Sequence, residues 1–297
     1  MNEIPAWEPL SAALLTDQRS TYDRMRAACA AARSARGVPL FRHADVVAAA
    51  SDCVTFSSAV SAYRQVPNSL DPPEHAAFRA AIDPFFTPER LRELEPRLQD
   101  CAREIVAALP RQTVVDAVTE LGYPIAVRAQ MDWLGWHGTE EALLAWMAEN
   151  REATRSADRT RTAAVAAAFD EIVAAQVRRR RALGSAAPRD PTTELLHVRV
   201  EGRLLSDSDI VSILRNWTAG DLGSIAASLG VIVYFLATHT EIQAVLRADA
   251  GDLASAIDEM RDAFLMFAPY KDRPKVTIFG SARTAAVDPV YVQTHDV

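Results

Sequence analysis

Two groups of residues in this chain have types and spacing suited to chemistry. His75 and Arg79 stand four apart, so on a helix they share a face. Both donate hydrogen bonds, and such a pair suits an anionic group, a carboxylate or a phosphate. The commoner meaning of that spacing is an exposed pair with no ligand. The second group lies in Asn216-Trp-Thr-Ala-Gly-Asp-Leu-Gly-Ser-Ile-Ala-Ala-Ser-Leu-Gly230, inside an apolar run that continues to Ala237. Gly220, Gly223 and Gly230 each cost about 1 kcal/mol against Ala in a helix interior. Asp221, buried without a partner, would cost more again. Sequences accept such residues where a backbone approaches something closely, or where water or a ligand must fit.

The elements that would position these groups are helical. Ser206-Asp-Ser-Asp209 is a capping-box-like start for a helix of about thirty residues ending near Ala237, roughly 45 Å long at the rise of an α-helix. A helix so apolar should be buried on nearly every side. Residues 10–36 carry helical periodicity with Gly37 as a stop, 38–41 read as a short strand and 43–51 as a short helix. Residues 56–70 have no strong period and predict a long loop, which in a compact domain is often functional. A helix is expected over 74–85. Thr87-Pro88-Glu89 starts another, reaching about residue 109, with Thr as cap and Pro at the first helical position. Further helices are expected at 114–134, 139–152 and 157–183. The last ends in Arg178-Arg-Arg-Arg181, read as a solvated helix end favoured by the macrodipole. Residues 184–191 form a turn-rich linker, 195–200 are ambiguous between helix end and strand, and Thr240 caps a following helix.

Composition narrows the function classes. The 297 residues carry a net charge of −7, which argues against nucleic acid as a partner. The first residues have neither a basic nor an apolar leader segment, and the longest uncharged apolar run falls short of a membrane span, so no membrane is expected. Cys29, Cys53 and Cys101 form neither a disulfide framework nor a zinc pattern. A reduced, cytoplasmic setting and no metal held by protein ligands follow. Lysine is absent before Lys271 and occurs only there and at Lys275, so the tail differs in composition from the body.

Asp71-Pro-Pro-Glu-His75-Ala-Ala-Phe-Arg79, followed by Phe86-Thr-Pro-Glu-Arg-Leu91, resembles the C-helix region of bacterial cytochromes P450. Residues 210–230 resemble that family's I helix. Residues 38–58 resemble its early strand–helix unit, and 239–249 and 256–260 its J helix and the start of its K helix. The resemblance covers about residues 10–260 in collinear order. It implies a mainly α, partial cytochrome P450 fold with a long central I-like helix, little β structure and a short C-terminal strand segment. It also implies haem as cofactor, with His75 and Arg79 on the propionates and Gly220 and Gly223 against the haem face. Asp221 and Ser224 would order water for oxygen chemistry. A small hydrophobic substrate and a ferredoxin or reductase as electron donor are implied in the same way.

Three departures stand beside these matches. Asp221 sits one place early relative to the family's acid, and the hydroxyl is Ser224. Glu259 fits the family's K-helix Glu, but Asp262 stands where its Arg belongs, with Arg261 one place early. None of the three cysteines lies in the Phe-x-x-Gly-x-x-x-Cys context of the haem ligand, so the iron's thiolate is missing. Residues 260–297, with Lys275-Val-Thr-Ile-Phe-Gly-Ser-Ala-Arg283 and Asp288-Pro-Val-Tyr291, resemble the opening of the "lonely guy" phosphoribohydrolases. The expected domains are therefore 1–260, P450-like, and 261–297, a tail with the first strand of a Rossmann-like fold. Three functions are in view: a haem monooxygenase truncated and inactive as this chain, a haem-free P450-like binding or auxiliary protein, and the N-terminal part of a P450–phosphoribohydrolase fusion.

Overall fold

The computed structural model describes residues 5–8, 17–34, 37–60, 64–111, 113–156 and 158–248. The expected K-helix start, the tail strand and the 261–297 domain lie outside the described residues. The chain divides into two units. One runs through Leu91 and from Ala148 to Gly220, the other from Arg92 to Met147 and onward from Asp221.

In the first unit, helix α1 (Gln18–Ala28) ends earlier than the periodicity predicts, and residues 10–16 of the expected helix lie outside the described residues. The backbone beyond it is taken up by pairing: Arg33 N donates to Pro5 O at 2.8 Å, and Ala32 N to Pro39 O at 3.1 Å. The expected strand at 38–41 is only an isolated bridge between Ala31 and Leu40. Pro39 has no N–H to extend a ladder. Trp7, Ala32 and Phe41 bury together there, with Tyr22 and Met25 packed against them. Helix α2 (His43–Ser51) matches its expected bounds. Helix α3 (Glu74–Ile82) passes into a 3-10 turn, Asp83–Phe86, and buries Phe78 and Ile82.

Helix α4 (Pro88–Ala108) starts where Thr87-Pro88 places it, with Leu91 N bonded to Thr87 O. It continues into the second unit, as its division after Leu91 requires. There a π-helical turn over Ala117–Gly122 leads into α5 (Tyr123–Leu134). Asp116 caps that turn, accepting from the amides of Val118 and Thr119. Helix α6 (Glu140–Ser156) follows and runs back into the first unit.

Helix α7 (Arg159–Leu183) belongs to the first unit, and its terminal arginines form the exposed end expected except at Arg180, which turns inward. Arg180 is 2% exposed and bonded to Asp190 at 2.8 Å. Arg181 pairs with Asp207, and Arg178 with Glu171. Asp190 also caps α8 (Pro191–Leu195), accepting from Thr193 N at 2.8 Å. The ambiguous stretch resolves as a hairpin of β1 (Arg199–Val200) and β2 (Arg203–Leu204). Glu201 and Gly202 fill its two-residue turn, both at positive φ as a type I′ turn requires.

The central helix α9 (Asp207–Thr238) is 32 residues long, about 48 Å. Its predicted capping box is present, with the amides of Ser206 and Asp209 each bonded to the other residue's side chain. The expectation of burial all round holds only for its first half. Ile210, Ile213, Leu214, Thr218 and Leu222 are fully buried, but of its 18 most apolar consecutive residues only 22% are. By length and composition alone this helix could cross a membrane, yet its capped start is packed in protein. Thr240 is the first residue of α10 (Thr240–Ala248) and not its cap. Gln243 N bonds to His239 O, and the Gln243 side-chain amide to Leu236 O at 2.6 Å.

Candidate functional site

In the first unit, α3 carries both predicted anion donors. His75 is half-buried and Arg79 exposed, and Phe78 between them turns to the core. Arg79 is engaged with Asp83 one turn on, an exposed pair whose bond is worth about 0.2–1 kcal/mol and can be exchanged cheaply for another anion. The segment before α3 is held by Asp71, whose carboxylate accepts from the Ser57 hydroxyl and from Ser58 N. These bonds, the Ser57 hydroxyl first and the Ser58 amide next, hold its carboxyl below the usual carboxylate value, with His75 a minor contributor.

The same unit pins the 64–70 loop to the start of α9. Val66 N donates to Ser212 Oγ at 2.8 Å, and Asn216 Nδ2 donates to Val66 O at 2.7 Å. Ser212 and Asn216 stand four apart on an apolar helix, a spacing in the sequence that marks a polar stripe with a purpose. Beside them Trp217 meets Phe85 and Phe86, with ring centroids 5.3 and 5.1 Å away. Ser212 and Phe85 were not singled out from the sequence, and Asn216, Trp217 and Phe86 appeared there only within longer stretches.

The predicted group on α9 separates by role. A Cβ built on Gly220 or Gly223 meets nothing within 4 Å, so these two present bare backbone to open space. Gly230 is different: a Cβ there would lie 2.5 Å from Val118 Cγ2, so its absence serves packing. The tightest approach to another backbone involves Gly122, whose Cβ would stand 2.6 Å from the backbone oxygen of Ala226. The Ser224 hydroxyl donates to the backbone oxygen of Asp221 at 3.1 Å.

The Asp221 carboxylate reaches solvent, yet the protein around it displaces enough water to push its carboxyl above the usual value. His75, Arg79 and Gly220 belong to the first unit, whereas Asp221, Gly223 and Ser224 belong to the second.

The sign of the Asp221 shift gives a testable consequence. The folded state holds this proton more tightly than the unfolded chain, so ionisation destabilises the fold above the raised value. Asp221→Asn is expected to raise the melting temperature at neutral pH. The gain should shrink as pH falls toward the ordinary carboxylate value, which thermal melts across that range would check. Equal melts at neutral pH would contradict it.

Taken one by one, the open space at Gly220 and at Gly223 would admit a flat ring, and His75 and Arg79 each carry N–H donors of the kind acidic groups need. None of the three cysteines stands in the sequence context of the family's iron ligand. The Cys101 thiol is buried, and burial followed by the charge of Asp132 pushes its pKa up, away from a thiolate. Cys29 donates to Met25 O at 3.5 Å, and Cys53 is half-buried in the turn after α2. Among the described residues no cluster of His, Cys, Asp and Glu could hold a metal ion.

No protein-family model matches the chain. Among curated proteins, a probable cytochrome P450 127A1 of Sinorhizobium fredii is 27% identical over 227 residues, 72% of this chain and 52% of the relative. An erythromycin C-12 hydroxylase of Saccharopolyspora erythraea is 35% identical over 103 residues, 32% of this chain and 25% of the relative. Among solved structures, a mutant of P450 EryK in complex with erythromycin B matches with a TM-score of 0.69 at 24% identity, covering 83% of this chain and 66% of that one. The bottromycin biosynthetic protein SalCYP matches with a TM-score of 0.67 at 25% identity, covering 82% and 63%. Curated relatives and structural neighbours together support the cytochrome P450 family, and the architecture is a mainly helical, partial cytochrome P450 fold. The chain spans about half the length of the curated relatives it matches over most of its own length.

Proposed function

We propose that this chain is the cofactor-cradling portion of a cytochrome P450-like monooxygenase and that, by itself, it lacks the activity. The observation that carries this reading is the bare, open backbone at Gly220 and Gly223 on the helix corresponding to the family's I helix. His75 and Arg79 would hold the propionates, with Arg79 exchanging Asp83 for a propionate oxygen. Asp221 and Ser224 would order water beside the ring. When bound, haem supplies oxygen activation, for which a ferredoxin or reductase would deliver electrons in the cytoplasm. The substrate would be a small hydrophobic molecule bordered by the pinned 64–70 loop and the Phe85–Phe86–Trp217 cluster. No step is written through the iron on these residues, because burial pushes the Cys101 thiol up and neither Cys29 nor Cys53 stands in the sequence context of the family's iron ligand.

The state of the cysteines also favours a second reading, a haem-free P450-like scaffold that binds a small molecule or a partner. A third, an N-terminal fusion partner of a phosphoribohydrolase, rests on residues 260–297 and would be supported by a Gly-rich hydrolase sequence continuing the reading frame.

The donor pair separates the first two. Titration of the purified chain with haem is expected to give saturable binding, and His75→Ala and Arg79→Ala are each expected to weaken it about tenfold, the loss of roughly one charge-assisted hydrogen bond. Absence of binding by the well-folded wild-type chain would favour the haem-free scaffold.

A further inference from the structure

Asn216 is a polar residue on an apolar helix, and only half of its amide is in use. Its Nδ2 donates to Val66 O at 2.7 Å. A carbonyl oxygen can only accept, so this partner fixes which way the amide is turned: nitrogen to the loop, Oδ1 left over. Among the described residues Oδ1 accepts no hydrogen bond, and it is not sealed from solvent. The polar side chains around it are engaged. Ser212 Oγ accepts from Val66 N at 2.8 Å and donates to Arg64 O at 3.3 Å. Arg215 donates to Asp170 and to Arg64 O, and Thr218 Oγ1 donates to Leu214 O at 2.7 Å. Asn216 Oδ1 is the acceptor on this stretch left without a donor.

Its position gives that acceptor a use. Asn216 and Trp217 precede Gly220 by four and three residues, so both lie on the side of α9 that Gly220 occupies. A Cβ on Gly220 meets nothing within 4 Å, so this side opens onto space. Trp217 brings Phe85 and Phe86 with it, and Phe86 stays 40% exposed. A molecule lying beside Gly220 would meet aromatic rings together with a single amide oxygen. The rings favour an apolar body. The oxygen favours an O–H or N–H donor, and an ether or tertiary amide in the same place would leave it unpaired.

We propose that Asn216 is the specificity-determining residue of the substrate region, its Oδ1 accepting a hydrogen bond from a hydroxyl or N–H group on an otherwise apolar molecule. This narrows the small hydrophobic substrate proposed above to one that carries a donor, and it rests on that reading for where the substrate lies. The bond from Nδ2 to the 64–70 loop is what keeps the amide turned that way.

The test is calorimetric titration of the full 297-residue chain with matched probes. Cyclooctanol is compared with its methyl ether, and N-cyclooctylacetamide with its N-methyl derivative. In at least one pair the donor is expected to bind about tenfold more tightly, the worth of one hydrogen bond. The pair that shows it tells whether O–H or N–H is read. Asn216→Leu keeps the size of the side chain and removes the acceptor, so it should bring that pair to parity by weakening the donor alone. Ser212→Ala frees the same loop from its other bond and should keep the preference. Trypsin cleavage after Arg64 reports loop release in both variants, so a preference lost only in Asn216→Leu belongs to the amide oxygen.

Equal binding within both pairs by the wild-type chain would overturn the proposal, and that comparison stands even if Asn216→Leu does not fold. A preference that survives in folded Asn216→Leu would overturn it too. So would one lost equally in Ser212→Ala, which assigns selection to the loop, or failure of every probe to bind. Haem titration keeps the two readings apart. Selective probe binding by a chain that takes up no haem contradicts the haem cradle alone, and haem uptake without probe preference overturns this inference alone.

Discussion

Asp190→Ala is expected to destabilise the fold by about 3–5 kcal/mol, the cost of leaving a buried charge without its partner. Arg180 is 2% exposed, and its Nη2 and Nε donate to the same Asp190 oxygen at 2.8 and 3.1 Å. Removing the carboxylate strands a guanidinium that water cannot reach. The same substitution deletes the α8 cap, because Asp190 Oδ1 accepts from Thr193 N. Caps of this kind contribute roughly 1 kcal/mol. Arg181→Ala and Arg178→Ala are the internal comparison. Both pairs are solvent-exposed, so each loss should stay within about 1 kcal/mol. Urea unfolding of the three variants side by side checks the contrast, and similar losses in all three would contradict the account of this arginine run.

Gly122→Ala is the second large effect. The position is helical, at φ −62° and ψ −47°, so alanine suits the backbone, and in an open helix it would stabilise by about 1 kcal/mol. Here the added methyl would lie 2.6 Å from the backbone oxygen and 2.9 Å from the Cα of Ala226. Backbone cannot rotate away as a side chain can, so two helical segments must part, at an overpacking cost of about 1–3 kcal/mol or more. Gly220→Ala is the counterpart. Its Cβ meets open space, so the substitution should stabilise the folded chain by up to about 1 kcal/mol while weakening haem binding if the ring lies against that backbone. A variant more stable and yet poorer at binding haem separates a role in the site from a role in packing.

Much of the fold is legible because its signals are local. Thr87-Pro88 and Ser206–Asp209 start their helices where expected, since a cap depends on residues within one turn. The failures have non-local causes. Four consecutive arginines read as a solvated end, and only Asp190, ten residues on and just ahead of Pro191, turns one of them inward. The apolar composition of α9 predicts burial but cannot say which half has neighbours. Its first half is packed, while Val231 and Tyr234 stand exposed.

Among the glycines, sequence singles out 220, 223 and 230 alike. The structure divides them, because space at Gly220 and contact with Val118 at Gly230 are decided by other segments. Gly122, which alone among these would crowd another backbone, sits in an unremarked stretch and is recognisable only once Ala226 is placed beside it. The donor pair His75 and Arg79 was readable from its spacing, but the engagement of Arg79 with Asp83 was not.

In the function proposed above, the chain would cradle haem through His75 and Arg79 without thiolate ligation of its iron. The most direct measurement is the absorption spectrum of the haem-loaded chain, reduced and exposed to carbon monoxide, beside the haem titration. Saturable haem binding weakened by His75→Ala is expected, with no red-shifted Soret band of thiolate ligation. A thiolate-type band that survives Cys29→Ser, Cys53→Ser and Cys101→Ser in turn, or is lost with one of them, would contradict it.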